Sequence, residues 1–348
     1  MTTTLPAAGP IRIWNGVDRT IFLEQIRPLG EPAVLRGLAS QWPAVAAARD
    51  SYEAVLAYVG AFATDEPVEM IVGSPDIEGR LSYTDDLSAL NFQRGHAPVR
   101  SFFDRLLRDR EEPRPYAMAL QSAPIPKVLP GFEAANHTDL PPSAVPPRIW
   151  IGNALCVATH ADMSENIAVN VAGRRRFTLF PPEAMSSLYI GPIEFTPAGP
   201  PTSLVHLTRP DLARFPRFAQ AMSVAQEAIL EPGDALYIPF HWWHHVQSLD
   251  AINILVNYWW VTPPRYLGAN PLEVSLLAMS VMRELPADQR RAFAAMLRHY
   301  ALAEGGDPGA HIPPHARGVL ANQARASAVN TSDCSQRSDS SLPSISRA

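Results

Sequence analysis

Between Arg148 and Pro264 the chain is a succession of short β-branched and aromatic runs: RIWIGN, NIAVNVA, RFTLFPP, ALYIPF and NILVNYWW. Glycine, proline and aspartate part them. Several short strands with turn signals between them, and little helical periodicity, predict a β-sandwich or barrel. Two of the turns are legible, Ala172-Gly173 after NIAVNV and Pro232-Gly233-Asp234 just before ALYIPF. Proline, 35 of 348 residues, favours the same outcome, because it lacks an amide donor and is excluded from helix interiors.

The flanks read differently. Residues 1–20 form an N-terminal arm, and residues 21–265 one domain whose core barrel spans about 148–262. PAVLR at 32–36 reads as a buried strand, followed by Gly37 and SQWPA. Val55, Leu56, Tyr58 and Val59 recur at helical spacing within 51–62, and Ser101 stands where it would cap a helix in FFDRLLRD. Residues 112–148 are rich in proline and poorly periodic. Asn270-Pro271 fits a cap followed by proline at the first helical position. Leu272, Leu276, Met279 and Met282, then Phe293, Met296, Leu297 and Tyr300 after Pro286, predict a helical hairpin over 266–305. Residues 306–348 are expected to be mostly disordered, since eight of the last 25 residues are serine.

Charge and cysteine usage exclude several functions. A formal charge of −5 argues against coating nucleic acid, which needs a dense basic surface. Cys156 and Cys334 lie far apart without a CxxC, so neither a disulfide framework nor a cysteine zinc site is expected. The N-terminus lacks a basic region followed by a long apolar run, and no stretch reaches ~18 apolar residues, so neither a signal peptide nor a membrane span is expected. A soluble cytoplasmic protein is the expectation. Lys127 is the only lysine among 29 basic residues. A site that would ordinarily use lysine is therefore free to use arginine here.

The stretch richest in chemistry is Thr159-His160-Ala161-Asp162, with Asn166 just beyond. On a strand, residues i and i+2 share a face, so His160 and Asp162 project together. A third ligand from His241-Trp242-Trp243-His244-His245 would complete two histidines and one carboxylate, the set used by non-haem Fe(II) oxygenases. Alternation puts His244 and His245 on opposite faces without saying which faces inward. An oxygenase of this type also binds 2-oxoglutarate, whose far carboxylate calls for a partly buried cation. In Gly173-Arg174-Arg175-Arg176, alternation separates Arg175 from its two neighbours and allows one inward guanidinium.

Together these residues resemble the JmjC-like, cupin-type 2-oxoglutarate oxygenases, and most closely the branch of the asparaginyl hydroxylase acting on hypoxia-inducible factor, with its bacterial cupin-like relatives. The resemblance rests on THAD…N, GRRRFTLFPPE, Tyr189 in LYIGP, RFPRF, EPGDALYIPFHWWHHVQSL and NILVNYWW, preceded by EPAVLRG…QWPA. It implies a mainly β fold, a double-stranded β-helix or jelly roll, with N-terminal α/β decoration. It implies His160, Asp162 and His244 as ligands of Fe(II), and Arg175, Asn166 and Asn257 around the cosubstrate. It implies hydroxylation of a C–H bond in a protein side chain or small molecule, with release of succinate and carbon dioxide. Homodimers through the C-terminal helices are a further implication. Two positions depart from the family: Val157 stands for a threonine and Arg175 for a lysine, while no tyrosine near Tyr116 clearly matches the family's. These departures favour an alternative, a cupin-like metal- or ligand-binding protein without turnover. A sugar-phosphate isomerase-like cupin would instead enlist Glu165 and His245.

Overall fold

The computed structural model describes residues 5–193, 195–197, 199–261, 271–317 and 320. In chain order the strands are β1 (Gly9–Pro10), β2 (Arg12–Asn15), β3 (Ala33–Arg36), β4 (Pro67–Gly73), β5 (Arg80–Leu81), β6 (Phe92–Pro98), β7 (Ala117–Pro124), β8 (Arg148–Gly152), β9 (Cys156–Ala161), β10 (Glu165–Ala172), β11 (Arg175–Phe180), β12 (Gln226–Leu230), β13 (Ala235–Ile238), β14 (Trp243–Ser248) and β15 (Asn253–Trp260). One sheet runs β1-β12-β11-β14-β9-β5 and the other β2-β3-β13-β10-β15-β8-β7-β4-β6. From β9 onward the chain passes repeatedly from one sheet to the other, which is the winding of a jelly roll. The mainly β expectation holds.

Alternation sorts the side chains into layers. Phe177, Leu179 and Leu230 of the smaller sheet meet Ala168, Leu236, Ile238 and Leu255 of the larger one in a core between the sheets. The other face of the larger sheet buries Ile167, Val169, Ile254 and Val256 together with residues of the N-terminal helices. Those helices include Tyr52–Gly60, where the Ser51 side chain accepts from the Ala54 amide at 3.0 Å. A third apolar cluster, with Phe180, Phe218 and Trp243, covers the outside of the smaller sheet.

Both legible turns are built as the sequence requires. Gly173 has φ 70°, and a Cβ there would come within 2.4 Å of Asn253 Oδ1. Gly233 has φ 103°, and the next residue, Asp234, accepts from the Gly37 and Glu231 amides at 2.9 Å each while pairing with Arg36. The PGD turn thereby fastens β13 to the end of β3.

One local expectation is corrected, and one stretch without a periodic signal turns out to hold a strand. The helix around FFDRLLRD starts at Val99 after Pro98, not at a Ser101 cap, because Val99 belongs to the buried stripe with Phe102, Phe103 and Leu106. The poorly periodic stretch 112–148 contains β7, held between β4 and β8. The arm also joins the sheets, β1 pairing with β12 and β2 with β3.

Contacts divide the chain into two compact units, Met1–Thr262 and Pro263–Ala348. The second contains helices Pro271–Arg283 and Ala287–Tyr300, on which Val274, Leu277, Met279, Phe293 and Met296 are exposed. Asn270, Cys334 and the serine-rich residues 324–348 lie outside the described residues. Among the described residues, no helix is long and apolar enough to cross a membrane.

Candidate metal centre

β9 and β14 are antiparallel neighbours, and their register sets His244 directly opposite His160. The two rings lie 4.3 Å apart between centroids, tilted by 54°. Asp162 follows two residues later, just past the end of β9, and its backbone carbonyl accepts from the His241 amide at 3.2 Å. That bond ties the loop after β9 to the loop before β14. His241 itself sits in the left-handed region at φ 62°, a costly conformation for a residue with a Cβ, which sets the chain's entry into β14. One ligating atom from each of His160, Asp162 and His244 lies within 4.8 Å of the others.

The protonation of both histidines follows from their hydrogen bonds. His160 Nδ1 is 2.9 Å from the Ala158 carbonyl, and His244 Nδ1 is 3.0 Å from the Trp242 carbonyl. A carbonyl only accepts, so each Nδ1 carries a hydrogen, and in the neutral ring the lone pair is then on Nε2. Burial, and next the neighbouring His160, push the His244 pKa down to about 4, against the opposing pull of Asp162. Its Nε2 lies 3.6 Å from Asp162 Oδ2, too long for a hydrogen bond and suited to sharing an ion. Asp162 Oδ2 is buried without a hydrogen-bond partner. A carboxylate oxygen and two imidazole lone pairs left unsatisfied at one point are a donor set that a divalent cation completes. The residues present fit the metal.

The cosubstrate residues converge on the same cavity. Arg175, Asn166 and Asn257 line it together with the three candidate ligands. Arg175 is 6% exposed, and desolvation pushes its pKa down to about 10, so it stays charged at neutral pH. Its Nε has no partner, and among the described residues no carboxylate pairs with it. Its neighbours differ: Arg174 pairs with Asp250 at 2.8 Å, and Arg176 donates to Gln247 at 3.2 Å. A buried guanidinium with no anion is costly, and a bound carboxylate removes that cost.

Asn257 Nδ2 donates to Asn166 Oδ1 at 3.3 Å, and Trp150 Nε1 donates to Asn257 Oδ1 at 2.8 Å. Trp150 and Trp259 meet edge to face at 5.7 Å. Trp150, Trp259 and Gln121 are lining residues that sequence reasoning missed. The alternation in RIWIG carries the signal for Trp150, since Ile149 and Ile151 take the other face. Val157 also lines the cavity, because a β-bulge between His244 and Val246 lets residues three apart on β9 share a face.

The alternative ligands go elsewhere. Glu165 accepts from Arg27 at 2.7 and 2.8 Å and from the Tyr237 hydroxyl at 2.8 Å, which ties it into a structural ion pair. His245 faces away from the cavity, opposite Thr178 on β11, and burial pushes its pKa down to about 3. Tyr116 is largely exposed and does not line the cavity.

Residues 19–266 match the family described as a cupin-like domain. Over 113 residues the chain is 37% identical to HSPB1-associated protein 1 of Homo sapiens, covering 32% of this chain and 22% of that protein. Lysine-specific demethylase JMJ31 of Arabidopsis thaliana is 40% identical over 114 residues, 32% of this chain and 20% of the relative. Lysine-specific demethylase 8 of Danio rerio is 27% identical over 238 residues, 66% of this chain and 53% of the relative. The chain thus spans about half, or less, of the length of the curated relatives it matches. Since the matched region takes in every strand from β3 onward and every residue of the candidate metal centre, the chain belongs to the cupin-like domain family.

Proposed function

We propose that the chain is an Fe(II)- and 2-oxoglutarate-dependent oxygenase that hydroxylates a C–H bond of a protein side chain or small molecule. The observation that carries this reading is the shared cavity, in which an unsatisfied His160–Asp162–His244 set and the unpaired Arg175 guanidinium meet. When bound, the iron and 2-oxoglutarate supply the oxidising chemistry, in which substrate R–H, 2-oxoglutarate and O2 become R–OH, succinate and CO2. His160 and His244 hold the metal through Nε2, with their backbone-bound Nδ1–H groups fixing each ring. Asp162 would supply the third ligand, completing the two-histidine, one-carboxylate set that suits Fe(II). Arg175 holds the far carboxylate of 2-oxoglutarate, and the Trp150–Asn257–Asn166 chain keeps the cavity wall polar and rigid beside it.

The names of the demethylase relatives fit the same reaction, since hydroxylating an N-methyl carbon is the step that releases it. The proposal extends to a cytoplasmic protein acting on a protein or small molecule, with no membrane partner and, in line with its net charge of −5, no nucleic-acid partner. It also extends to a homodimer through helices 271–283 and 287–300, whose apolar side chains are exposed and whose mass in solution checks it.

One observation favours a second reading, a metal- and ligand-binding protein without turnover. Val157 offers the cavity a methyl group where a hydroxyl would hold the cosubstrate. Loading the full chain anaerobically with Fe(II) and 2-oxoglutarate and then admitting oxygen separates the two. A visible charge-transfer band followed by succinate, both lost in His160→Ala, is expected. The band without succinate, across a panel of candidate substrates, would establish the second reading.

A further inference from the structure

Beyond the metal cavity the same face of the larger sheet continues into an open groove of ≈ 490 Å³. The groove and the cavity share Gln121, Trp150 and Trp259, so a molecule lying in the groove would reach the candidate metal ligands past these side chains. The wall of the groove holds a cation that the proposed chemistry does not use. Arg148 lies directly across the β8–β15 register from Asn257 and projects into the groove.

Its guanidinium is aimed rather than free. Arg148 Nε donates to Ser122 Oγ at 2.6 Å. Ser122 lies at φ 52°, inside the bulge that separates Leu120 from Ala123 on β7, and this conformation turns its hydroxyl toward Arg148. Among the described residues no carboxylate pairs with Arg148, whereas Arg94, three strands further out, is paired with Glu69. Partial burial also pushes the Arg148 pKa down, as expected of a cation that lacks an anion. Lys127, the only lysine, lines the same groove. With Arg94 and Glu69 cancelling, Arg148 and Lys127 face only Glu66.

We propose that this groove selects a substrate bearing a carboxylate, which pairs with Arg148 and so seats a neighbouring C–H bond at the metal cavity. The inference rests on the oxygenase reading above. The carboxylate belongs either to an acidic peptide or to a free carboxylic acid, and both present the same group to the guanidinium.

The test uses the full chain loaded with Mn(II) and saturating 2-oxoglutarate, which fills the Arg175 position and prevents turnover. The probes are fluorescent acetyl-hexaglutamate and acetyl-hexalysine, with N-acetylglutamate as competitor. Hexaglutamate is expected to bind about 10-fold or more tightly than hexalysine, and Arg148→Gln to remove about that factor. Arg148→Lys should retain part of it. Arg148→Glu should reverse the preference, which a purely structural role for Arg148 would not do. Competition by N-acetylglutamate assigns a free acid; hexaglutamate binding without that competition assigns a peptide. Equal binding of the two probes, or an Arg148→Glu chain that still prefers hexaglutamate, overturns the inference. Retention of 2-oxoglutarate is read in the same samples. A wild-type chain that fails to retain it overturns the oxygenase reading, whereas retention without an acid preference overturns only the assignment of the groove.

Discussion

On the cavity face of β9, β11 and β14 stand His160, Arg175 and His244; on the opposite face of the same strands stand Cys156, Arg176 and His245. The residue types are nearly the same, but their partners differ. Outside, Arg176 has Gln247 and Glu227 as partners, and His245 is packed as a neutral side chain near His206 and Arg80. Inside, the Arg175 Nε and one oxygen of Asp162 are buried without partners, and two imidazole lone pairs point at that oxygen's neighbourhood. Folding satisfies polar groups wherever it can. Among the described residues Arg176 Nε and His245 Nδ1 also lack hydrogen-bond partners, so lone unsatisfied atoms occur on both faces. Only on the cavity face do a carboxylate oxygen, a guanidinium without a carboxylate partner and two imidazoles converge on one cavity, which marks what a ligand is to supply.

The largest effect should separate the two histidines. His244→Ala is expected to weaken Mn(II) binding by more than about 100-fold, since it removes a direct ligand rather than a supporting one. His245→Ala should change metal affinity by less than about 3-fold while lowering thermal stability through a lost buried side chain. Metal titration followed by electron paramagnetic resonance reads the first quantity. Loss of metal in His245→Ala alone would reverse the assignment of faces.

Next comes the pair of carboxylates, Glu165 and Asp162. Glu165 answers Arg27 and Tyr237, so Glu165→Ala removes two charge-assisted hydrogen bonds from Arg27 and the acceptor of the Tyr237 hydroxyl, and should cost about 3 kcal/mol of stability. Asp162→Ala removes a carboxyl group whose Oδ2 has no hydrogen-bond partner in the metal-free chain, and should leave stability within about 1 kcal/mol while abolishing metal binding. Urea unfolding of the metal-free proteins measures both. A larger loss in Asp162→Ala than in Glu165→Ala would break the distinction between a satisfied and an unsatisfied carboxylate.

The arginines offer a smaller contrast. Arg175→Ala should weaken 2-oxoglutarate binding by about 1.5–3 kcal/mol, the value of a charge-assisted hydrogen bond, and Arg176→Ala should leave it nearly unchanged. Calorimetry on the Mn(II)-loaded chain provides the comparison. Equal losses in the two variants would mean that general positive potential, not an inward guanidinium, holds the cosubstrate.

What could be read from sequence follows the same division. Runs such as NIAVNVA and RFTLF announce themselves because they are buried and bounded by Gly173 and by the PGD turn. β6, FQRGHAP, is an edge strand with exposed polar residues, and β7, AMALQSAP, has no β-branched residue. Both exist because β4 lies between them and pairs with each, a long-range fact that no local pattern carries. These are also the strands that wall the groove, so its residues went unread while the metal centre did not. His160 and Asp162 are two residues apart, and Arg175 stands alone between two others, so alternation alone groups them. Alternation could not choose between His244 and His245, because it separates two faces without saying which one looks inward.

Val157 is where alternation fails outright and where the smallest effect is expected. Residues three apart on a regular strand face opposite ways, yet Val157 and His160 line one cavity because the bulge opposite Val246 adds a residue to β9. Val157→Thr exchanges a methyl for a hydroxyl of nearly the same size. If the cosubstrate carboxylate lies between this position and Arg175, the new donor should strengthen 2-oxoglutarate binding by about 0.5–1.5 kcal/mol. Because both groups would then hold one carboxylate, the gain should shrink in an Arg175→Ala background, a coupling that a double-mutant cycle isolates. Weaker binding in Val157→Thr would show instead that the hydroxyl is buried without a partner. The carboxylate would then lie nearer Asn257, with Val157 part of the wall that meets the substrate.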